Sequence, residues 1–155
     1  MPKLQVVPGV ILKDGKILCA KLKKTPGKDS TDFQEFWCTP GGGVDIGEPL
    51  LPALEREMIE ETGVKPDIGS LLYVQQFQYG DLDNIEFFFH ITNSEDFEHI
   101  DLTATSHGEV EIAEIGFIDP KTETILPAFL AERDLAADAA AGTTNVFNYI
   151  ETNNS

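Results

Sequence analysis

The sequence predicts an α+β fold in which helices pack against a mixed β-sheet. Strand-like and helix-like segments are intermixed, but they do not alternate in the regular way that builds a parallel sheet. One segment, residues 50–62, has the apolar spacing and end signals of an amphipathic helix. No linker, repeat or low-complexity block divides the 155 residues. We therefore expect a single domain over residues 1–140 and a mobile tail over residues 141–155.

The first half of the chain predicts a hairpin followed by a glycine-rich turn and a helix. Residues 4–12 and 16–22 predict two strands with Asp14-Gly15 as the turn, and Pro8-Gly9 favours an edge position or a bulge. The run of Pro40 and three glycines predicts a flexible turn. Gly63 then caps the helix over residues 50–62.

The second half predicts three strands and a second helix. Residues 70–79 and 84–92 alternate well enough for strands, and a polar loop over residues 94–108 follows them. A strand around residues 110–118 and a long helix over residues 122–140 complete the expected order. The elements alone indicate layers of helix on sheet and do not identify an activity.

Carboxylates crowd the last two turns of the predicted helix over residues 50–62. Glu57, Glu60 and Glu61 share an arc of about 100°, where the helix dipole is negative. The adjacent arc is suited to the core and carries Leu51, Leu54 and Met58. A sequence selected only for helix stability would not place its acids there. Since oxygen-rich clusters suit Mg²⁺, Mn²⁺ or Ca²⁺, we predict a divalent metal site for phosphate chemistry.

The residues before the helix extend this prediction. Gly41–Gly43 allow close approach of a ligand, and a backbone carbonyl there could join the metal shell. Glu48 lies before the helix, where a carboxylate is electrostatically favoured, and it could reach Arg56. Such a contact would tie the loop to the helix.

Residues 42–64 resemble the Nudix box, G-x5-E-x7-R-E-U-x-E-E-x-G-U, in which U is a bulky aliphatic residue. The fixed positions are all matched by Gly42, Glu48, Arg56, Glu57, Met58, Glu60, Glu61, Gly63 and Val64. Met58 departs mildly from the usual Leu, Ile or Val. Trp37-x-x-Pro40-Gly41-Gly42 looks like the lead-in of the family, and the similarity covers residues 3–140.

The resemblance implies an α/β/α sandwich with a mixed β-sheet and a loop–helix–loop catalytic motif. It implies hydrolysis of a pyrophosphate bond in a nucleoside diphosphate-linked substrate with Mg²⁺ or Mn²⁺ as cofactor. Glu57 and Glu61 would be metal ligands. Glu60 would be a further ligand, or would orient or deprotonate the attacking water. The Gly41 carbonyl would complete the metal shell.

The remaining box residues would support the site. Glu48 and Arg56 would form a salt bridge, and Gly42 and Gly63 would hold the loop and the helix end. A non-catalytic Nudix-fold module that senses a nucleotide stays open as an alternative, although none of the box carboxylates is lost. An acidic helix without a ligand would not explain the upstream glycines or Arg56.

Candidates outside the box have plain structural alternatives. Lys21 belongs to the only basic cluster and could contact phosphates, although a solvated loop is the better explanation of the cluster. Tyr79 resembles a feature of dinucleoside polyphosphate hydrolases in this family, but aromatic strand residues are usually core. Glu109 and Glu111 are candidates for substrate binding or the catalytic base. The plain alternative for each is a solvated acidic edge.

Composition bounds the partners. The 11 basic and 27 acidic residues give a formal net charge of −16, which disfavours polymeric nucleic acid and still allows a small nucleotide with a metal. Cys19 and Cys38 lack zinc or disulfide spacing, so core packing is expected. No apolar run suggests a membrane partner, and we expect a cytoplasmic protein. A homodimer is possible, because dimers are common in the resembled family.

Overall fold

A computed structural model describes residues 3–79 and 81–150 of the chain. Within these residues the strands are β1 (Lys3–Val10), β2 (Leu12–Lys13), β3 (Lys16–Leu22), β4 (Trp37–Cys38), β5 (Gly41–Gly43), β6 (Ile68–Tyr79), β7 (Leu82–Ile91), β8 (Ile112–Ile118), β9 (Ile125–Leu126) and β10 (Asn145–Ile150). The helices are α1 (Leu50–Thr62), α2 (Gly108–Glu111), α3 (Phe129–Glu132) and α4 (Leu135–Ala141). Two short 3-10 turns, at residues 94–97 and 102–104, interrupt the expected loop.

Two five-stranded sheets form the centre of the fold. The larger sheet is mixed, with the order β10-β6-β7-β1-β5. The smaller sheet has the order β2-β3-β4-β9, with β8 also paired to β3. Hydrophobic side chains form one cluster that includes α1 and a second that includes α3 and α4. This layering confirms the predicted α+β class and the mixed-sheet sandwich.

Strand β1 is internal and its pairing has no register shift, so it has neither the edge position nor the bulge that Pro8-Gly9 favoured. It pairs in parallel with β7 and antiparallel with β5. Its residue Val7 packs in one cluster with Leu54 and Met58, so β1 lies beneath α1. Gly9 explains the close approach, because a Cβ there would collide with Ile91 and meet Met58. Pro8 is tolerated where β1 pairs with the very short β5, at Gly41.

The helix α1 has the predicted bounds and cap. It begins after Pro49 and ends at Gly63, whose φ of 76° is left-handed and whose N–H donates to the Ile59 carbonyl. Leu54 and Met58 are fully buried as predicted. Leu51 was expected in the core and is instead 47% exposed, since the smaller Ala53 takes the buried position near the start of the helix.

The long helix predicted over residues 122–140 is wrong. The chain forms β9 and then the short helices α3 and α4 instead. Pro127 interrupts a continuous helix because it lacks an N–H donor. Asp134 starts α4 afresh, since its side chain accepts a hydrogen bond from the Ala137 N–H.

The end of the described chain also differs from the expected mobile tail. Strand β10 pairs in parallel with β6 from Asn145 opposite Tyr73 onward. Phe147 stacks on Phe129 at a centroid distance of 4.4 Å, and the Thr144 hydroxyl donates to the Leu71 carbonyl. The periodicity of a short segment cannot reveal a parallel partner strand about 70 residues earlier in the chain, so the sequence did not predict β10. Residues 151–155 lie outside the described part.

Both cysteines are free, as expected from their spacing. Cys19 is fully buried in the cluster with α3 and α4, and Cys38 is half-buried. In the described ranges, 3–79 and 81–150, we find no helix with the length and apolar character needed to cross a membrane.

Candidate active site

The carboxylates of α1 line a cavity of about 530 Å³ beside the glycine-rich strand β5. The side chains that combine there are Arg56, Glu57, Glu60, Glu61, His107 and Glu111. Strand β5 forms a second wall, and Ala20 and Cys38 form a third. Residues far apart in sequence therefore meet at one concave surface.

The glycines bring the backbone of β5 against the helix. The Gly41 N–H donates to Glu61 Oε2 at 3.1 Å. Gly41 has a φ of +139°, and a Cβ there would collide with the backbone of Val7 and Pro8. A Cβ at Gly42 would collide with the Glu57 carboxylate. Gly41 therefore requires glycine, whereas a side chain at Gly42 would displace the Glu57 carboxylate from its present position.

Arg56 lies at the centre of an ion-pair network. Its Nε and Nη2 donate to the two Glu48 oxygens at 2.8 and 2.9 Å. Its Nη1 donates to Glu57 Oε1 at 3.0 Å and to Glu60 Oε2 at 3.1 Å, and Nη2 also donates to the Gly43 carbonyl. The bidentate contact lowers the pKa of Glu48 to about 2. The predicted tie between loop and helix is present in this geometry.

Glu61 is buried, whereas Glu57 and Glu60 on the same face are only partly buried. The exposed fraction of Glu61 is 6%. Burial raises the pKa of Glu61 to about 8, opposed by the Gly41 hydrogen bond and reinforced by the charges of Glu57, Glu111 and Glu60. Burial also raises the pKa of Glu57, although Arg56 opposes the shift. These carboxylates are held as a desolvated cluster of like charges.

Glu111 reaches the same cavity from the short helix α2. The Lys23 ammonium ties α2 to the loop after β3. It donates to the carbonyls of Gly27, Lys28 and Glu109, at 2.8, 3.2 and 2.7 Å. The Lys23 N–H donates to the Glu111 carbonyl at 2.9 Å. The carboxylate of Glu111 makes no ion pair with any residue of the described chain, whereas Glu109 lies 4.0 Å from the Lys28 ammonium.

His107 is a site residue that the sequence did not single out. Its Nδ1 lies 2.9 Å from Glu60 Oε2, and its backbone N–H donates to the Glu60 carbonyl. The residue is separated from the box by more than 40 positions and follows a polar loop. Only the turn into α2 brings it onto the end of α1, so spacing along the chain carried no signal.

Lys21, a further candidate from the sequence, is not among the residues that line this cavity. The Lys21 ammonium lies over the Trp37 ring, 4.9 Å from its centroid, and 5.8 Å from that of Phe33. The backbone of Tyr79 ends β6, and the side chain of Tyr79 lies outside the described part. Tyr73, on the same strand, is fully buried in the core.

The donor set fits a hard divalent cation. Carboxylate oxygens are its preferred ligands, and Glu61 is a buried acid whose charge a cation would offset. In residues 3–79 and 81–150 no three His, Cys, Asp or Glu side chains already surround one point at ligand distance. Arg56 instead lies against Glu57 and Glu60. Binding of a cation would therefore require these carboxylates to turn from the guanidinium toward the cavity.

Comparison with known proteins identifies the class. The family model described as NUDIX domain matches residues 3–137. The chain therefore belongs to the Nudix family. The E. coli ORF135 protein, known from a solution structure, has a TM-score of 0.64 and 26% identity over 90% of this chain and 94% of that one.

Two curated relatives match shorter segments. An ADP-ribose pyrophosphatase of Methanocaldococcus jannaschii is 44% identical over 68 residues, which cover 44% of this chain and 37% of that protein. An 8-oxo-dGTP diphosphatase of Haemophilus influenzae is 36% identical over 91 residues, or 58% of this chain and 62% of that protein. The matches thus span less than two thirds of either relative.

Proposed function

We propose that this protein is a metal-dependent hydrolase that cuts a pyrophosphate bond in a nucleoside diphosphate-linked substrate. The observation that carries the proposal is the convergence of Glu57, Glu60, Glu61 and Glu111 on one cavity bounded by glycine backbone. Family membership supports it, as do relatives whose names describe the same type of cleavage on ADP-ribose and 8-oxo-dGTP.

We assign the metal to Glu57, Glu60 and Glu61, with the Gly41 carbonyl as a further ligand. Mg²⁺ or Mn²⁺ bound there would neutralise charge on the pyrophosphate and make water more acidic. The bidentate pair of Glu48 and Arg56 fixes the loop against the helix. It thereby holds β5 and α1 together as the two walls between which the cation would bind.

We assign the general base to Glu111. Its carboxylate lines the cavity and makes no ion pair within the described residues, whereas Glu60 contacts both Arg56 and His107. Glu111 would accept a proton as the water oxygen bonds to phosphorus. The bridging P–O bond then breaks, and the leaving phosphate takes the electron pair.

The test is turnover of a panel that contains ADP-ribose, 8-oxo-dGTP and CTP, with products identified. We expect no turnover in the presence of a chelator and recovery with excess Mg²⁺ or Mn²⁺. Hydrolysis that a chelator does not affect would exclude the metal assignment. Metal-dependent nucleotide binding without cleavage of any compound would indicate the alternative, a sensing module.

A further inference from the structure

A second cavity, of about 590 Å³, lies over strands β6, β7 and β10 and is closed by residues 126–129. Four aromatic side chains line it, those of Phe36, Phe77, Phe129 and Phe147. Phe129 and Phe147 are nearly parallel, with an interplanar angle of 15°. Walls of this kind suit a flat heterocyclic ring, which binds through stacking and loss of water.

One wall of this cavity is polar. Asn84 and Glu86 are two residues apart on β7, so they face the same side of the sheet. Gln75 Nε2 donates to Glu86 Oε1 at 2.9 Å, and no other described residue donates to the Glu86 carboxylate. Asn84 Oδ1 is shielded from water and has no partner within residues 3–79 and 81–150. A buried acceptor without a donor is costly, so a ligand that hydrogen-bonds to the Asn84 amide would stabilise this wall.

The polar wall is close to the candidate active site. Glu86 pairs with Val6, and Val6 pairs with Gly43 on the far side of β1. Two strand spacings amount to about 10 Å. Cys38 lines the first cavity, and burial followed by the charges of Glu61 and Glu86 raises the pKa of its thiol to about 12. One ligand could therefore reach from Glu86 to the carboxylates of α1.

We propose that the second cavity binds the base of the substrate and that Glu86 selects bases with an exocyclic amine over their oxo counterparts. This inference rests on the proposed function, because it assigns the other end of the same substrate. A carboxylate accepts hydrogen bonds and donates none, so an amine is bound and a carbonyl oxygen is repelled. The Asn84 amide can donate or accept and therefore adds affinity for either type of base.

The experiment compares nucleotides that differ only in this group. Binding of CMP against UMP, and of AMP against IMP, is measured by calorimetry in the presence of Mg²⁺. We expect the amine member of each pair to bind about tenfold more tightly or better, as befits a hydrogen bond to a charged acceptor. Equal binding, preference for UMP and IMP, or no binding of any of the four would overturn the proposal.

Three variants locate the selectivity. Glu86→Gln keeps the size and can both donate and accept, so we expect each ratio to fall to about threefold or less. Glu123→Gln removes an equal charge from an exposed residue outside both cavities and should leave the ratios unchanged. Asn84→Leu should weaken both members of a pair alike. Loss of selectivity in Glu123→Gln, or its retention in Glu86→Gln, would contradict the role of Glu86.

Binding and turnover separate the two proposals. Selective binding without hydrolysis of any compound leaves the base site in place and refutes the proposed function. Metal-dependent hydrolysis without selectivity between CTP and UTP supports the proposed function and refutes the base site. Melting curves of each variant establish that the folded protein is being compared.

Discussion

Glu61 combines two properties that usually conflict, deep burial and an ionisable side chain. Its carboxylate accepts the Gly41 N–H, and other acids surround it. A helix under selection for stability alone would carry an apolar residue at such a position. The position is therefore a stability cost that the proposed metal site explains.

We predict that Glu61→Gln abolishes turnover and stabilises the metal-free protein at high pH. The raised pKa means that the folded state favours the protonated acid. The stability from that proton is complete below the unfolded pKa of about 4.5 and is lost as pH rises through about 8. The melting temperature of wild type should therefore fall below that of the variant between pH 5 and pH 9, by a few degrees.

Glu55→Gln is the matched control for this prediction. It is the same substitution on the same helix, at a partly exposed residue whose ion partner is Lys65 at 3.7 Å. Its turnover and pH dependence should match those of wild type. A Glu61→Gln enzyme with normal Mg²⁺-dependent activity would refute the assignment of Glu61 as a ligand.

Arg56→Ala should lower both stability and turnover. The substitution removes hydrogen bonds to Glu48, Glu57 and Glu60 and leaves those acids to repel one another. We expect a decrease of about 3–10 °C in melting temperature, measured by calorimetry without metal. Lys65→Ala, which removes one exposed pair, should change little. An unchanged melting curve for Arg56→Ala would show that the network does not hold the loop.

At the scale of elements, α1 serves the core and the site at the same time. Leu54 and Met58 pack beneath it, while its C-terminal half presents Glu57 and Glu61 to the cavity. The left-handed cap at Gly63 ends the helix where the chain must turn. Rigid packing of one face thus fixes the carboxylates on the neighbouring face.

Strand β10 should contribute to stability, in contrast to the tail that the sequence suggests. A chain that ends after Gly142 loses the pairing with β6 and the stacking of Phe147 on Phe129. We expect a lower melting temperature and faster amide exchange along β6, at Val74 for example. A chain that ends after Ile150 keeps β10 and serves as the control. Identical melting of the two chains would mean that β10 contributes nothing.

For the whole molecule, the net charge of −16 opposes both compaction and the approach of a phosphate substrate. The proposed cation would relieve that repulsion at the site itself. Elsewhere the charge is balanced only by dissolved ions. Electrostatics thus favours a small ligand accompanied by a metal over a polyanion such as RNA.

Salt should stabilise the metal-free protein. Raising NaCl from about 20 mM to about 0.5 M shortens the screening length from roughly 20 Å to roughly 4 Å and weakens the repulsion among acidic groups. We expect the melting temperature to rise by a few degrees, and KCl should act alike. A decrease with salt would mean that attractive pairs, such as those of Arg56, outweigh the repulsion.

The sequence by itself determined the family, the bounds of α1 and the identity of its acids. These features depend on local spacing, because a helix places residues three and four apart on one face and a cap needs a particular backbone angle. Gly42 and Gly63 could be identified in the same way, from their spacing relative to the helix. For this reason the predicted helix and its network with Glu48 and Arg56 agree with the structure.

Only the tertiary structure decided how deeply Glu61 is buried, that His107 and Glu111 reach the α1 acids, and that the last described residues form a strand. The second cavity, with Asn84 and Glu86, is equally invisible in the sequence. These features depend on contacts between residues 20 to 72 positions apart along the chain. Periodicity describes the faces of one segment, whereas sheet pairing determines which faces meet.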